Sequence, residues 1–123
     1  MIIAIDAGHG IYTAGKRTPD GEREWSFNNK VVISAIQELN KYKDVTVIRL
    51  DDPTGQRDVP LIERINKANN ARADLLVSMH HNGFQGVWGN HGGTEVIIWN
   101  GTYASKAQTR AFATLVLNKI LLL

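Results

Sequence analysis

Residues 2–10 read IIAIDAGHG, and this stretch decides the fold because an apolar strand runs directly into a histidine between two glycines. The first part, Ile2 to Ile5, is apolar at every position, as expected of a strand buried on both faces of a parallel sheet. Glycines on both sides of His9 allow a sharp turn and leave space around the imidazole. The stretch therefore predicts a buried strand that presents His9 at its carboxyl end.

The rest of the chain alternates predicted helices and strands. In order they are a helix over about 25–40, a strand over 45–50, a helix over about 59–72, strands over 75–79 and 94–99, and a helix from Ser105. The pattern βαβαββα predicts an α/β fold, with a twisted, mostly parallel sheet flanked by helices. A length of 123 residues suits a single domain, so we expect residues 1–123 to form one.

The spacing of apolar residues also predicts which helix faces are buried. In the first helix these residues are Phe27, Val31, Ala35 and Leu39, with Val32 and Ile36 beside them, and in the second they are Leu61, Ile65 and Ala68. The last helix is expected to begin with a capping box over 105–108, which reads SKAQ.

Composition limits the classes of function. The chain has no cysteine, so a metal site would have to use His, Asp and Glu. A net charge of +2 is too small to indicate a nucleic-acid partner, and no apolar run is long enough to insert into a membrane. Because the first strand follows Met1 without a secretory signal, we expect the chain to be made as a soluble protein or to be cut from something longer.

A second histidine, His80, follows the strand over 75–79 as His9 follows the first strand. Ligands of α/β sheets bind at the carboxyl ends of the strands, so the two imidazoles are expected to share a site. A catalytic zinc ion takes three protein ligands and leaves a position for water. The third ligand could be Glu24 or Glu22, both before the first helix, and a carboxylate there also interacts favourably with the helix dipole alone.

Several linked motifs carry a resemblance to a known family. They are DAGHG at 6–10, Glu24-x-x-x-Asn28, Arg64-x-x-x-Ala68-Asn69, Ala73-Asp74-Leu75, Ser78-x-His80-x-Asn82 and Gly93-Thr94-Glu95. In this order they resemble the zinc-dependent N-acetylmuramoyl-L-alanine amidases of bacterial cell-wall remodelling and phage lysis. The resemblance implies a Zn²⁺ cofactor held by His9, Glu24 and His80, with Glu24 preferred because Asn28 follows at the family spacing. It also implies hydrolysis of the amide bond between N-acetylmuramic acid and L-alanine, with peptidoglycan as the partner.

One element of that family pattern is not found in the sequence. The family uses a glutamate near the end of its domain as general base, so we expect this residue beyond Leu123 and weak or absent hydrolysis by this chain. Glu95 is expected to be structural, and His81 and His91 to be loop residues rather than substitutes for the base. The alternative is a non-catalytic, zinc-containing peptidoglycan-binding domain. Autolysin, sporulation enzyme and phage endolysin all remain open as the parent protein. The missing secretory signal favours an endolysin that acts on the cell wall after release over a part of a longer exported protein.

Other residues have simpler expected roles. Asp6 either orients His9 or caps the turn, and Arg64 is expected to pair with a carboxylate of the scaffold. Trp25 and Trp99 are expected to be packing residues rather than sugar-binding platforms.

The glycine-rich segment 83–93 contains Phe84 and Trp88, and it could border a substrate groove or form a plain loop. A nucleotide-binding loop over 8–15 is disfavoured because no helix follows it directly.

Overall fold

The computed structural model describes residues 1–83, 86–90 and 92–122. In the first part of the chain, β1 (Ile2–Ala7), α1 (Glu24–Leu39), β2 (Thr46–Arg49), α2 (Leu61–Asn70) and β3 (Leu75–Met79) alternate, and α3 (Lys106–Ile120) follows. The three strands form one parallel sheet in the order β2-β1-β3. The structure thus confirms the predicted α/β class.

Strand β1 is buried because it has a neighbouring strand on each side. Ile3 lies opposite Val47 of β2 and Leu75 of β3, and residues 3–7 are all buried. At the other end of the strand, Ala7 lies opposite Met79. The two strands that precede His9 and His80 therefore end side by side.

The buried face of α1 agrees only in part with the predicted one, since Val32 is confirmed as buried and Ala35 and Ile36 pack against the core. Trp25, Asn28 and Val32 are the buried residues, whereas Val31 is exposed. The prediction counted only apolar residues as candidates for burial. Asn28 lies on the inner face because both ends of its amide find hydrogen-bond partners there, which shifts the buried face around the helix.

Of the predicted buried face of α2, Ala68 is confirmed and the other two residues are wrong. Leu61 is 71% exposed and Ile65 is exposed as well, while Arg64 and Ala68 are buried. Arg64 lies in the interior where Leu61 was expected, because its guanidinium group donates hydrogen bonds to several acceptors that are described below.

The structure groups the chain into two compact units, Met1–Trp88 and Gly89–Leu123. In the second unit, α3 has no buried residue, and its cap residue Ser105 makes no side-chain hydrogen bond to the helix, so the predicted capping box is wrong. None of the described helices is long and apolar enough to cross a membrane.

The predicted strand over 94–99 is not formed. Ile97, an apolar residue of this segment, is 82% exposed. Alternating apolar residues fit a strand only where a second backbone supplies hydrogen bonds, and within the described residues β1, β2 and β3 are the only strands. The expectation that Glu95 lies on a strand is wrong for the same reason.

Candidate metal centre

The structure brings His9, Glu24 and His80 together at the carboxyl end of the sheet. His9 Nε2 lies 3.5 Å from Glu24 Oε2, and His80 Nδ1 lies 3.1 Å from Glu24 Oε1. The two imidazole rings meet edge to face, with their centroids 4.8 Å apart. Each residue offers one ligand atom, and these three atoms lie within 4.8 Å of one another.

The backbone at His9 itself makes the turn out of β1. His9 has a φ of 69°, in the left-handed region, whereas neither Gly8 nor Gly10 has a positive φ. A Cβ on Gly8 would overlap the His80 imidazole, and one on Gly10 would press against the backbone of Gly55 and Asp58. The two glycines therefore provide room for close neighbours, and the turn that was expected from them is made by the histidine.

Arg64 of α2 holds the backbone on both sides of this turn. Its Nη1 donates to the carbonyl oxygen of Ala7 at 3.0 Å, and its Nη2 donates to that of His9 at 3.3 Å. The same guanidinium pairs with Asp6 at 3.0 Å and with Asp58 at 3.3 Å. The predicted pairing of Arg64 with a scaffold carboxylate is confirmed, and the pairing also stabilises the left-handed turn.

Asp6 acts on the neighbouring strand rather than on the His9 ring. Its Oδ1 accepts hydrogen bonds from Arg64 Nη1 at 3.0 Å and from Ser78 Oγ at 2.6 Å. These bonds connect β1, α2 and β3 just before the two histidines. The carboxylate of Asp6 therefore supports the scaffold, a role different from the two predicted for it.

Glu24 reaches the site because the polar loop after β1 folds back. Its backbone N–H donates to the carbonyl oxygen of Lys16 at 3.1 Å, and α1 begins at this residue. Its carboxylate is only 11% exposed and accepts a further hydrogen bond from the backbone N–H of His81 at 3.2 Å. Glu22, the competing candidate, is largely exposed and lies 3.8 Å from Lys30 Nζ instead.

The surroundings of His9 favour its neutral form. Burial is the largest effect and lowers its pKa below the ordinary value of 6.5; the Glu24 carboxylate raises it, and His80 and Lys16 lower it further. A neutral imidazole keeps a free lone pair, which is the form that binds a metal ion.

The donor set of the group suits a zinc ion, since two imidazoles and one carboxylate are typical ligands of catalytic zinc. The separations of 3.1 and 3.5 Å involve different oxygens of Glu24, and the three candidate ligand atoms lie within 4.8 Å of one another. Ligand atoms that are about 2.0–2.1 Å from a tetrahedral zinc lie about 3.3 Å from one another, so the side chains would have to draw closer together around an ion.

The remaining candidate residues lie in different settings. Trp25 is buried against Gly55, as expected of a packing residue, and Trp88 is exposed. Trp99 stacks on Tyr103 with centroids 5.2 Å apart but is largely exposed, so it packs only in part. Phe84 and His91 lie outside the described residues.

Two residues beside the site make a contact that was not predicted from the sequence, where His81 was expected to be a loop residue and Asn28 was named only as part of a motif. His81 Nδ1 lies 2.7 Å from Asn28 Oδ1, and Asn28 Nδ2 donates to the carbonyl oxygen of Gly8 at 3.0 Å. The interval of four residues between Glu24 and Asn28 places both side chains on the same face of a helix. This spacing could have indicated that Asn28 lies beside the site.

Comparison with known proteins gives a consistent picture. A family model described as N-acetylmuramoyl-L-alanine amidase, Amidase_3, matches residues 3–122. The amidase of Clostridium difficile 630 is 30% identical, with a TM-score of 0.63 over 74% of this chain and 47% of that one. No curated protein matches at a significant level.

Two further solved structures share the fold at lower identity. The catalytic domain of the amidase CwlV from Bacillus (Paenibacillus) polymyxa var. colistinus is 24% identical, with a TM-score of 0.58 over 66% of this chain and 45% of that one. The Mycobacterium smegmatis amidase is 21% identical, with a TM-score of 0.60 over 68% and 48% of the respective chains. The matched region is thus a little under half of each of these relatives.

Proposed function

We propose, because this chain belongs to the N-acetylmuramoyl-L-alanine amidase family, that it takes part in zinc-dependent hydrolysis of the amide bond between N-acetylmuramic acid and L-alanine in peptidoglycan. The observation that carries the proposal is the convergence of His9, Glu24 and His80 at one end of the sheet. We further propose that it acts on the cell wall, either after release in the manner of an endolysin or as part of a longer exported protein such as an autolysin.

His9, Glu24 and His80 are the residues that would hold the zinc ion. When bound there, zinc polarises the scissile carbonyl group and lowers the pKa of its water ligand toward about 7. The lowered pKa of His9 supports this role because the imidazole is already neutral at neutral pH. The Glu24 carboxylate is shielded from solvent and held by the His81 backbone N–H, so it enters the site in a fixed orientation.

Other residues of the chain keep this end of the sheet in place while the substrate binds. Arg64 and Asp6 connect the ends of β1 and β3 through two buried hydrogen bonds and through the partly buried one from Ser78. Preorganised ligands of this kind reduce the reorganisation needed when substrate binds. The more exposed imidazole of His80, 46% accessible, marks the side of the group that is open to solvent.

The described residues also favour a second candidate, a zinc-containing domain that binds peptidoglycan without cleaving it. The group at the carboxyl end of the sheet contains one carboxylate, that of Glu24, and this carboxylate is the proposed ligand. General acid–base catalysis contributes about 10²–10⁴-fold to such reactions. If no second carboxylate joins the site, an amidase should cleave more slowly by that factor, whereas the binding domain should bind the wall without cleaving it.

Purified cell walls carrying a covalent dye distinguish these two functions. The zinc-loaded chain and its His80→Ala variant are compared for dye release, for new L-alanine amino termini and for co-sedimentation with the walls. Slow, zinc-dependent product formation that is lost in His80→Ala supports the amidase. Co-sedimentation without product supports the binding domain, and neither product nor co-sedimentation overturns both.

A further inference from the structure

Asn28 lies where the three segments of the candidate metal centre meet. It is fully buried, one helical turn after Glu24. Its Nδ2 donates to the carbonyl oxygen of Gly8, the residue before His9, at 3.0 Å. Its Oδ1 lies 2.7 Å from Nδ1 of His81, the residue after His80. One amide therefore contacts the neighbours of both histidines and belongs to the helix that carries the carboxylate.

We propose that Asn28 is a positioning residue that acts with His81 to hold the two strand ends against Glu24, and that His81 carries its proton on Nδ1 for this purpose. The first part rests on the proposed role of His9, Glu24 and His80 as metal ligands. The proton position on His81 rests on the hydrogen-bond geometry alone.

The proton position follows from what each atom can do. The Gly8 carbonyl oxygen can only accept, so the Asn28 amide must direct its NH₂ group toward it. The other end of the amide, Oδ1, can then only accept from His81. His81 Nδ1 must therefore donate, and in the neutral ring Nε2 carries the lone pair.

The bond to His81 stabilises the backbone that supports Glu24. The His81 N–H donates to Glu24 Oε1 at 3.2 Å, and its ring also lies against Phe27, with centroids 5.4 Å apart. The His80 side chain is more exposed than that of His9. We therefore expect its position to depend on the contacts of the next residue, His81. Loss of the Asn28–His81 bond should free residues 80–81 and weaken the alignment of His80 with Glu24.

Asn29 provides a matched control one position along the same helix. Its Oδ1 accepts a hydrogen bond from Arg49 Nη2 at 2.6 Å and makes no described bond to the segments that carry the histidines. The variants Asn28→Ala and Asn29→Ala therefore remove the same chemical group from α1 with different consequences. His81→Phe keeps an aromatic ring beside Phe27 and removes the donor, whereas His81→Gln retains a donor.

The first measurement is the zinc affinity of each variant, determined by competition with a chromophoric chelator, with circular dichroism as the check on folding. We expect Asn28→Ala and His81→Phe to bind zinc about 10-fold more weakly, at the lower end of the range for direct partners of metal ligands, because both act on the ligands through neighbouring residues. His81→Gln should recover part of the loss, and Asn29→Ala should bind as the wild type does. If Asn28→Ala does not fold, His81→Phe decides, and wild-type affinity in His81→Phe would overturn the positioning role.

The second measurement is the tautomer of His81 in the metal-free chain, from long-range ¹H–¹⁵N correlation spectra at about pH 8.5, where a free imidazole is neutral. We expect the Nδ1–H form in the wild type and in Asn29→Ala. A predominant Nε2–H form in the wild type would contradict the proton assignment. Failure of the wild type to bind zinc would instead overturn the proposed function, and the spectra would still decide the tautomer.

Discussion

The two histidines of the candidate metal centre are held in different ways. His9 follows the central strand, is 19% exposed, and has its backbone clamped by the buried guanidinium of Arg64. His80 follows an outer strand of the described sheet, is 46% exposed, and is held through Glu24 and the Asn28–His81 pair. The first ligand is thus part of the buried scaffold, and the second depends on side chains around the site. Substitutions on the His9 side should mainly lower the free energy of unfolding. Substitutions on the His80 side should mainly lower the zinc affinity.

The largest effect is expected for Arg64→Ala, because it leaves Asp6 buried and without its cationic partner. Breaking a buried ion pair from one side costs about 3–5 kcal/mol of unfolding free energy. Arg57→Ala is the control, since its pair with Glu63 is exposed and worth about 0–1 kcal/mol. Urea unfolding measures both, and equal losses would contradict the view that the His9 side is built into the scaffold.

A smaller effect on stability and a clear one on metal binding are expected for Gly8→Ala. The added methyl group would overlap the His80 ring, which is exposed enough to move aside. We therefore expect unfolding free energy to change by about 1 kcal/mol, near the lower end for overpacking, while zinc affinity falls. Gly83→Ala, where a Cβ meets nothing within 4 Å, is the control. Unchanged zinc affinity in Gly8→Ala would show that His80 is not needed in its observed position.

The smallest effect is a pH dependence from His9. Its pKa is lowered in the folded chain, so the unfolded chain binds this proton more tightly. The stability of the metal-free protein should therefore rise as the pH increases through the folded pKa and level off above the unfolded value of about 6.5. His9→Asn, which tolerates a left-handed backbone, should lack this rise. Urea titrations between pH 5 and 8 compare them, and identical slopes would exclude His9 as the source.

The central part of the fold and two candidate ligands could be predicted because they depend on local patterns. Strands β1 and β3 are short apolar runs that end in histidines, and strands of a parallel sheet bring their carboxyl ends to one edge. The choice between Glu22 and Glu24 was different, since the residues alone left it open and only the family resemblance preferred Glu24. In the structure the choice depends on a loop that folds back with a hydrogen bond from the Glu24 N–H to the Lys16 carbonyl oxygen, a contact that no periodic pattern predicts.

Features that depend on partners distant in sequence were predicted wrongly or not at all. The burial of Arg64 requires acceptors from β1 and from the loop before α2, and charged residues are seldom buried without such partners. The segment 94–99 has the alternation of a strand, but a strand also requires a second backbone. The pairing of Asn28 with His81 likewise connects elements that are 53 residues apart.

The central claim is that His9, Glu24 and His80 hold one zinc ion, and zinc stoichiometry in a matched pair of glutamate variants tests it most directly. Glu24→Gln and Glu22→Gln each remove one negative charge near the start of α1, but only the first alters a group within reach of both histidines. The account predicts one zinc per chain in the wild type and in Glu22→Gln, and strongly reduced zinc in Glu24→Gln. Full zinc occupancy in Glu24→Gln would contradict it.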